Sequence, residues 1–311
     1  MRTAGISFIL ALLISVTGCG QSEDAVKISL LTGSGKTAEY ARTGNNEKIR
    51  IAIGAMISPR KTFVLYENLF NFIGKELGQP IELIQRNTYT EVNYLLKENK
   101  VDAAFICSLP YVEGSKDFGI ELLVAPVCFG KPEYFSYIIV HKNSPIDSFE
   151  GLRGKTFAFT DTMSNTGALF PIYSLARMDE TPMSFFREYI YTYSHDNSIK
   201  SVADRIVDGA AVDSLIWEYE NRNNPVYTSS TKIICKSEPF GIPPVVVPAG
   251  IDPVLKEKLK TVFLGIHEKE EGRKILSMLM IDKFVEIDDS RYDSIRTMYD
   301  FTASFKPRKK Q

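Results

Sequence analysis

From residue 49 onward, short runs rich in β-branched residues alternate with single amphipathic stretches, and no other feature limits the fold as much. Residues 49–55 read as a buried strand. The spacing of Phe63, Tyr66, Leu69, Phe70, Ile73 and Leu77 predicts a helix, capped by Thr62 and closed by Gly78. Residues 81–84 read as a second strand, 90–98 as a second helix and 101–107 as a third strand. Strands separated by one helix each need crossovers, which makes them parallel neighbours in an α/β sheet. After Tyr134 a fresh unit begins with a strand over 137–141 and turns at Ser144-Pro145 and Leu152-Arg153-Gly154-Lys155. A strand over 156–159 and a loop over 160–163 then lead to a helix starting near Ser164. Val245–Val247 reads as a strand, and the charged segment 252–300 as mostly helical.

The chain opens with one positive charge, Arg2, and an uncharged run to Cys19 whose apolar centre covers residues 6–16. That centre is too short to span a bilayer but has the length of a signal-peptide core. It ends in Val16-Thr17-Gly18-Cys19, which resembles the lipobox of bacterial lipoproteins. The resemblance implies a signal peptide over 1–18, lipidation at Cys19, and a tether over 19–47. An ordinary buried cysteine after a small-residue cleavage site is the alternative. The expected location is therefore an exported, membrane-anchored one, in the periplasm or at the cell surface. Within the tether, Gly33-Ser34-Gly35-Lys36-Thr37 is like the end of a phosphate-binding P-loop. The full motif needs a glycine where Leu30 stands, so it is set aside.

A composition of 44% hydrophobic and 24% charged residues, with a net charge of −1, suits a globular protein and offers no basic face for nucleic acid. Beyond the lipidated one, Cys107, Cys128 and Cys235 form neither a CxxC nor a Cys/His spacing, so no metal or cofactor is expected. Cys107 and Cys128 read as buried thiols, with a disulfide as the alternative.

Several segments together resemble the phosphate/phosphite/phosphonate substrate-binding lipoproteins of ABC importers. Ser144-Pro145-Ile146 and Leu152-Arg153-Gly154-Lys155 look like the family's lead-in to its second lobe. Ser164-Asn165-Thr166-Gly167, with Pro171 after it, resembles its Ser-Thr-Ser-Gly anion loop. His195, the Val212-Asp213-Ser214 run and Asp288-Asp289-Ser290-Arg291-Tyr292-Asp293 occupy further family positions. The resemblance implies a type II periplasmic-binding-protein fold, two α/β lobes joined by two crossovers. Lobe 1 would be residues 48–137 plus 240–311, and lobe 2 residues 138–239. It also implies capture of a phosphorus oxyanion (phosphate, phosphite or a small phosphonate) for an ABC-transporter permease, without catalysis.

The candidate ligand-binding residues follow from that resemblance. Ser164, Asn165, Thr166 and Gly167 suit an oxyanion held at a helix N-terminus, where free N–H groups and the helix dipole favour negative charge. By spacing alone Ser164 could simply cap its helix. Gly167 would let a ligand approach the backbone. His195, one of three histidines, would donate a charge-assisted bond as an imidazolium. Tyr89 and Tyr134 match the family's two first-lobe tyrosines, and Ser108 and Tyr111 lie just past the third strand. Asp213 would accept a bond from a ligand P–OH and so reject sulfate, or it only caps a helix. Aminoalkylphosphonate binders in the family place two carboxylates around the ligand amine. Those positions fall on Leu215 and Pro243, which disfavours a zwitterionic ligand.

Two other classes compete. Ser164, His195 and Asp213 include the residue types of a hydrolytic triad, although the serine lacks a GxSxG elbow. A ligand-sensing partner of a membrane receptor is the third reading. Trp217, four residues after Asp213, is expected on the same helical face and so near the cleft. The anchoring expectation has a direct check. Cys19→Ser should leave the chain unlipidated, and a mutant that still sediments with carbonate-washed membranes would remove the lipobox reading.

Overall fold

The computed structural model describes residues 48–307, apart from 55, 57 and 58. Cys19, the signal segment and the tether lie outside the described residues. In the first half of the chain come β1 (Ile49–Ile53), α1 (Pro59–Leu77), β2 (Ile81–Gln85), α2 (Tyr89–Lys97), β3 (Ala103–Phe105), α3 (Ser108–Phe118) and β4 (Glu121–Val127). A two-residue strand, β5 (Glu133–Tyr134), leads to β6 (Ser136–His141) and β7 (Thr156–Phe159). After a π-helical turn over Asn165–Leu169 come α4 (Phe170–Arg177), α5 (Pro182–Phe185), β8 (Glu188–Tyr191), α6 (His195–Ala203), β9 (Gly209–Asp213), α7 (Ser214–Asn223) and β10 (Thr231–Lys236). The chain closes with β11 (Phe240–Gly241), β12 (Val245–Val247), α8 (Pro253–Gly265), α9 (Glu270–Met278), β13 (Lys283–Val285) and α10 (Asp293–Ser304).

Two sheets form the centres of two lobes. The first has the order β13-β4-β12-β3-β1-β2, the second β10-β6-β9-β7-β8. As the alternation predicts, β1 pairs parallel with both β2 and β3. Two short strands, β5 and β11, carry the chain from the first sheet to the second and back. They pair antiparallel, Tyr134 opposite Phe240, so the two crossovers lie side by side. The chain returns through β11 directly into β12 with no intervening helix, and β12 therefore runs antiparallel to β3 and β4.

Local chemistry explains the individual elements. In β1 the side chains of Ile49, Ile51 and Ile53 are buried, while Arg50 pairs with the buried Asp102 through both its main-chain N–H (2.8 Å) and its guanidinium (3.3 Å). Helix α2 starts with a capping box. Thr88 Oγ1 accepts from Glu91 N at 3.2 Å, and the Glu91 carboxylate accepts from Thr88 N at 3.1 Å.

The structure corrects three expectations. Helix α1 begins at Pro59 rather than after Thr62, because a proline at the first helical position already holds the helical φ. The end at Gly78, with φ +64, is as expected. The third strand is only Ala103–Phe105, shorter than 101–107. The segment 252–300 also contains a strand, β13, paired antiparallel with β4. Its three residues are too few to show a period in the sequence.

Candidate ligand-binding site

Strands β8 and β9 both pair parallel with β7, so all three end at the same sheet edge. That edge is where open α/β sheets bind ligands. Thr160 follows β7, Ser194 and His195 follow β8, and Asp213 ends β9. Bonds from this edge reach the first lobe. His195 N donates to Met56 O at 3.1 Å, Tyr89 N to Asp161 Oδ2 at 3.1 Å, and Asn165 Nδ2 to Tyr134 Oη at 3.0 Å. The structure therefore brings Tyr89, Tyr134, Ser164, Asn165, Thr166, Gly167, His195 and Asp213 into one buried region.

The anion loop is π-wound, with Leu169 N reaching Ser164 O at 2.9 Å and Phe170 N reaching Asn165 O. Such turns are rare and recur at functional sites. Ser164 Oγ accepts from Gly167 N at 3.0 Å, so this serine does cap its helix. The bond uses the Gly167 N–H and one lone pair of the hydroxyl, and the Ser164 O–H remains a donor. The reason for the glycine also differs from the expected one. A Cβ at Gly167 would lie 1.7 Å from Thr160 Oγ1, so the space beside it belongs to Thr160 rather than to a bound molecule.

Five buried side-chain atoms at this edge have no hydrogen-bond partner among the described residues: Thr160 Oγ1, Asn165 Oδ1, Thr166 Oγ1, Ser194 Oγ and His195 Nε2. Each such group costs about 1–3 kcal/mol when left unmade, so their concentration here marks a place built for a polar ligand. Thr160 and the Ser194 hydroxyl were not singled out from the sequence. Their signal is position, just past Phe159 and Tyr191, where parallel strands end.

His195 is fully buried, and its Nδ1 accepts from Asp213 N at 3.0 Å. An acceptor at Nδ1 leaves the proton on Nε2, and burial pushes the ring down to about 3 from 6.5. The imidazolium expected from the sequence is replaced by a neutral Nε2–H donor. The stability tied to this neutral ring is present above 6.5 and is lost as pH falls through about 3. Asp213 caps α7, its Oδ1 accepting from Leu215 N at 2.7 Å. Burial pushes its carboxyl up from 3.8 to about 7. Here the folded state favours the protonated form, so stability falls as pH rises through that window.

Beside these groups lies a cavity of about 90 Å³. Gly54, Met56, Ile106, Asp213, Leu215, Ile216, Pro243 and Leu279 are among the residues that line it. Leu215 and Pro243, the two positions expected to lack carboxylates, both stand in its wall. The Tyr89 ring packs against Gly54, where a Cβ would meet it at 3.0 Å. Ser108 and Tyr111 turn away into packing. Ser108 donates to Gly241 O at 2.7 Å, and Tyr111 to Asp289 Oδ1 at 2.5 Å. Trp217 also faces elsewhere. Its indole N–H donates to Thr231 Oγ1 at 3.1 Å and its ring meets Tyr137 edge-on, because Asp213 sits outside the helix as its cap and the cavity takes Leu215, Ile216 and Tyr219 instead. The three cysteines are free thiols, with Cys107 and Cys128 buried.

A family model described as "ABC transporter, phosphonate, periplasmic substrate-binding protein" matches residues 51–292. The chain belongs to this family. It is an extracytoplasmic substrate-binding protein of the ABC-transporter type. Similar proteins include a phosphonates-binding periplasmic protein from Escherichia coli, 25% identical over 229 residues that cover 72% of this chain and 68% of that one. A probable ABC transporter phosphite binding protein from Prochlorococcus marinus is 23% identical over 268 residues, covering 81% and 89%. In fold, the chain resembles the crystal structure of a binding protein component of an ABC phosphonate transporter from Pseudomonas aeruginosa. That match has a TM-score of 0.79 and 24% identity, covering 83% of this chain and 87% of that one. Among the described residues, no helix is long and apolar enough to cross a membrane.

Two measurements check the geometry of the binding protein's cleft. Gly167→Ala should destabilise it by ~1–3 kcal/mol, read as a lower Tm, because the new methyl must displace Thr160. An unchanged Tm would show that Thr160 does not fill that space. Nitrogen-15 NMR at neutral pH should find His195 neutral with its proton on Nε2, and an imidazolium signal would contradict the assignment.

Proposed function

We propose that the protein captures a phosphorus oxyanion (phosphate, phosphite or a small phosphonate with an uncharged tail) and hands it to an ABC permease. Cys19 carries the lipid that anchors it to the membrane. Residues 48–137 plus 240–311 form the first lobe and 138–239 the second, with the changeover inside β6. The observation that carries this reading is the row of partnerless buried donors and acceptors, Thr166 Oγ1 and His195 Nε2 above all, at the carboxyl edge of β7, β8 and β9. Relatives named for phosphonates and phosphite support the same ligand class.

The hydrolase alternative lacks a relay. Ser164 Oγ holds Gly167 N, His195 Nδ1 holds the main-chain N–H of Asp213, and the Asp213 carboxylate holds Leu215 N. Among the described residues neither His195 nor Asp213 bonds the serine hydroxyl, which supports binding without turnover.

Asp213 sharpens the ligand choice. With its carboxyl at about 7, it accepts from a P–OH when ionised and donates to a bare oxyanion when protonated. Sulfate brings no proton of its own at neutral pH, so only the protonated fraction of Asp213 admits it. Calorimetric titration of the full-length chain should show phosphate, which keeps a P–OH as its dianion, preferred over sulfate, with the preference widening as pH rises above about 7. Thr166→Val should weaken binding by ~1–3 kcal/mol with folding retained. Equal binding of sulfate at alkaline pH would remove the role of Asp213, and an unchanged dissociation constant in the Thr166 variant would remove that of the loop.

A further inference from the structure

The cavity beside the anion-binding groups differs from them in chemistry. Among the described lining residues Asp213 is the one charged side chain, and Leu215, Ile216, Ile242, Leu279 and Ile281 form much of the rest of the wall. It adjoins the polar edge directly, because two of its lining residues bond His195. Met56 O accepts from His195 N, and Asp213 N donates to His195 Nδ1. At about 90 Å³ it has room for several carbon-sized atoms, since a water's share of liquid volume is about 30 Å³.

Resting on the reading above, we infer that this cavity receives an apolar substituent on phosphorus, so that the preferred ligand is an alkylphosphonate with two or three carbons rather than inorganic phosphate or phosphite. An oxyanion headgroup at the Thr166 and His195 side leaves its fourth substituent facing a hydrocarbon wall, where water finds few partners and a methylene chain displaces it favourably. A cationic tail fits poorly. Asp213 is the one carboxyl among the described lining residues that it could meet, and Oδ1 of that group already takes Leu215 N at 2.7 Å. An ammonium would bring three donors into an apolar wall and leave most of them unmet.

Propylphosphonate and 2-aminoethylphosphonate are nearly isosteric and differ chiefly in the terminal methyl or ammonium, which makes them the deciding pair. Isothermal titration of the full-length chain with phosphite, methyl-, ethyl-, propyl- and 2-aminoethylphosphonate should show affinity rising about fourfold per methylene, equivalent to ~0.8 kcal/mol. Propylphosphonate should bind at least about tenfold more tightly than 2-aminoethylphosphonate. Leu279→Phe, which puts bulk into the cavity wall, should cancel the gain along the series by costing propylphosphonate far more than phosphite. Binding of phosphite with no gain along the series, tighter binding of the ammonium compound, or equal losses for phosphite and propylphosphonate in the Leu279 variant would each overturn the tail cavity alone. Failure to bind any phosphorus ligand, phosphite included, would overturn the function it rests on and this inference with it.

Discussion

The hydrogen bond from the main-chain N–H of Asp213 to Nδ1 of His195, 3.0 Å long, sets the chemistry of the cleft. A backbone amide can only donate, so Nδ1 must stay unprotonated and the ring can carry a proton only at Nε2. The same bond joins the end of β9 to the start of α6, which fixes where the ring stands. The main-chain N–H of His195 bonds Met56 O of the first lobe, so one residue carries the donor and also spans the cleft. Burial adds to the effect by holding the ring neutral far below its usual range.

A neutral histidine changes how an anion is held. The partnerless atoms at the edge, on Thr160, Asn165, Thr166, Ser194 and His195, belong to uncharged groups, so recognition rests on oriented dipoles rather than on a counter-charge. A lysine or arginine would attract sulfate and phosphate alike. A fixed set of donors beside a carboxyl poised near 7 discriminates instead by how many protons the ligand brings. Hydrogen bonds to a charged partner are worth about 1.5–3 kcal/mol each, enough for a few of them to replace one buried ion pair.

The order of strands and helices was legible because each buried strand and each helical face has its own period, and the parallel pairing of β1, β2 and β3 followed from the single helices between them. The anion loop was legible as a helix start with a capping serine, a local property of four residues. What escaped depends on contacts between distant residues. Thr160 beside Gly167 is one case, and Trp217 turning toward Thr231 is another. The protonation of His195 follows from its depth and from a bond made 18 residues away, and neither is written in the sequence around it. Strand β13 exists only because β4 offers an edge for it.

Tyr134 shows how ligand capture couples to closure. It lies on crossover strand β5, paired with Phe240 of the returning crossover, and its hydroxyl accepts from Asn165 in the anion loop. A residue of the crossover therefore touches the candidate anion loop. Polar bonds that bridge the lobes at the cleft include His195 to Met56, Tyr89 to Asp161, Asn165 to Tyr134 and Asn165 N to Cys107 Sγ, each worth about 0.5–1.5 kcal/mol. The groups left partnerless in the closed cleft favour opening until an oxyanion satisfies them. The ligand tips the balance because it meets second-lobe groups that would otherwise be buried unpaired when the first lobe closes over them.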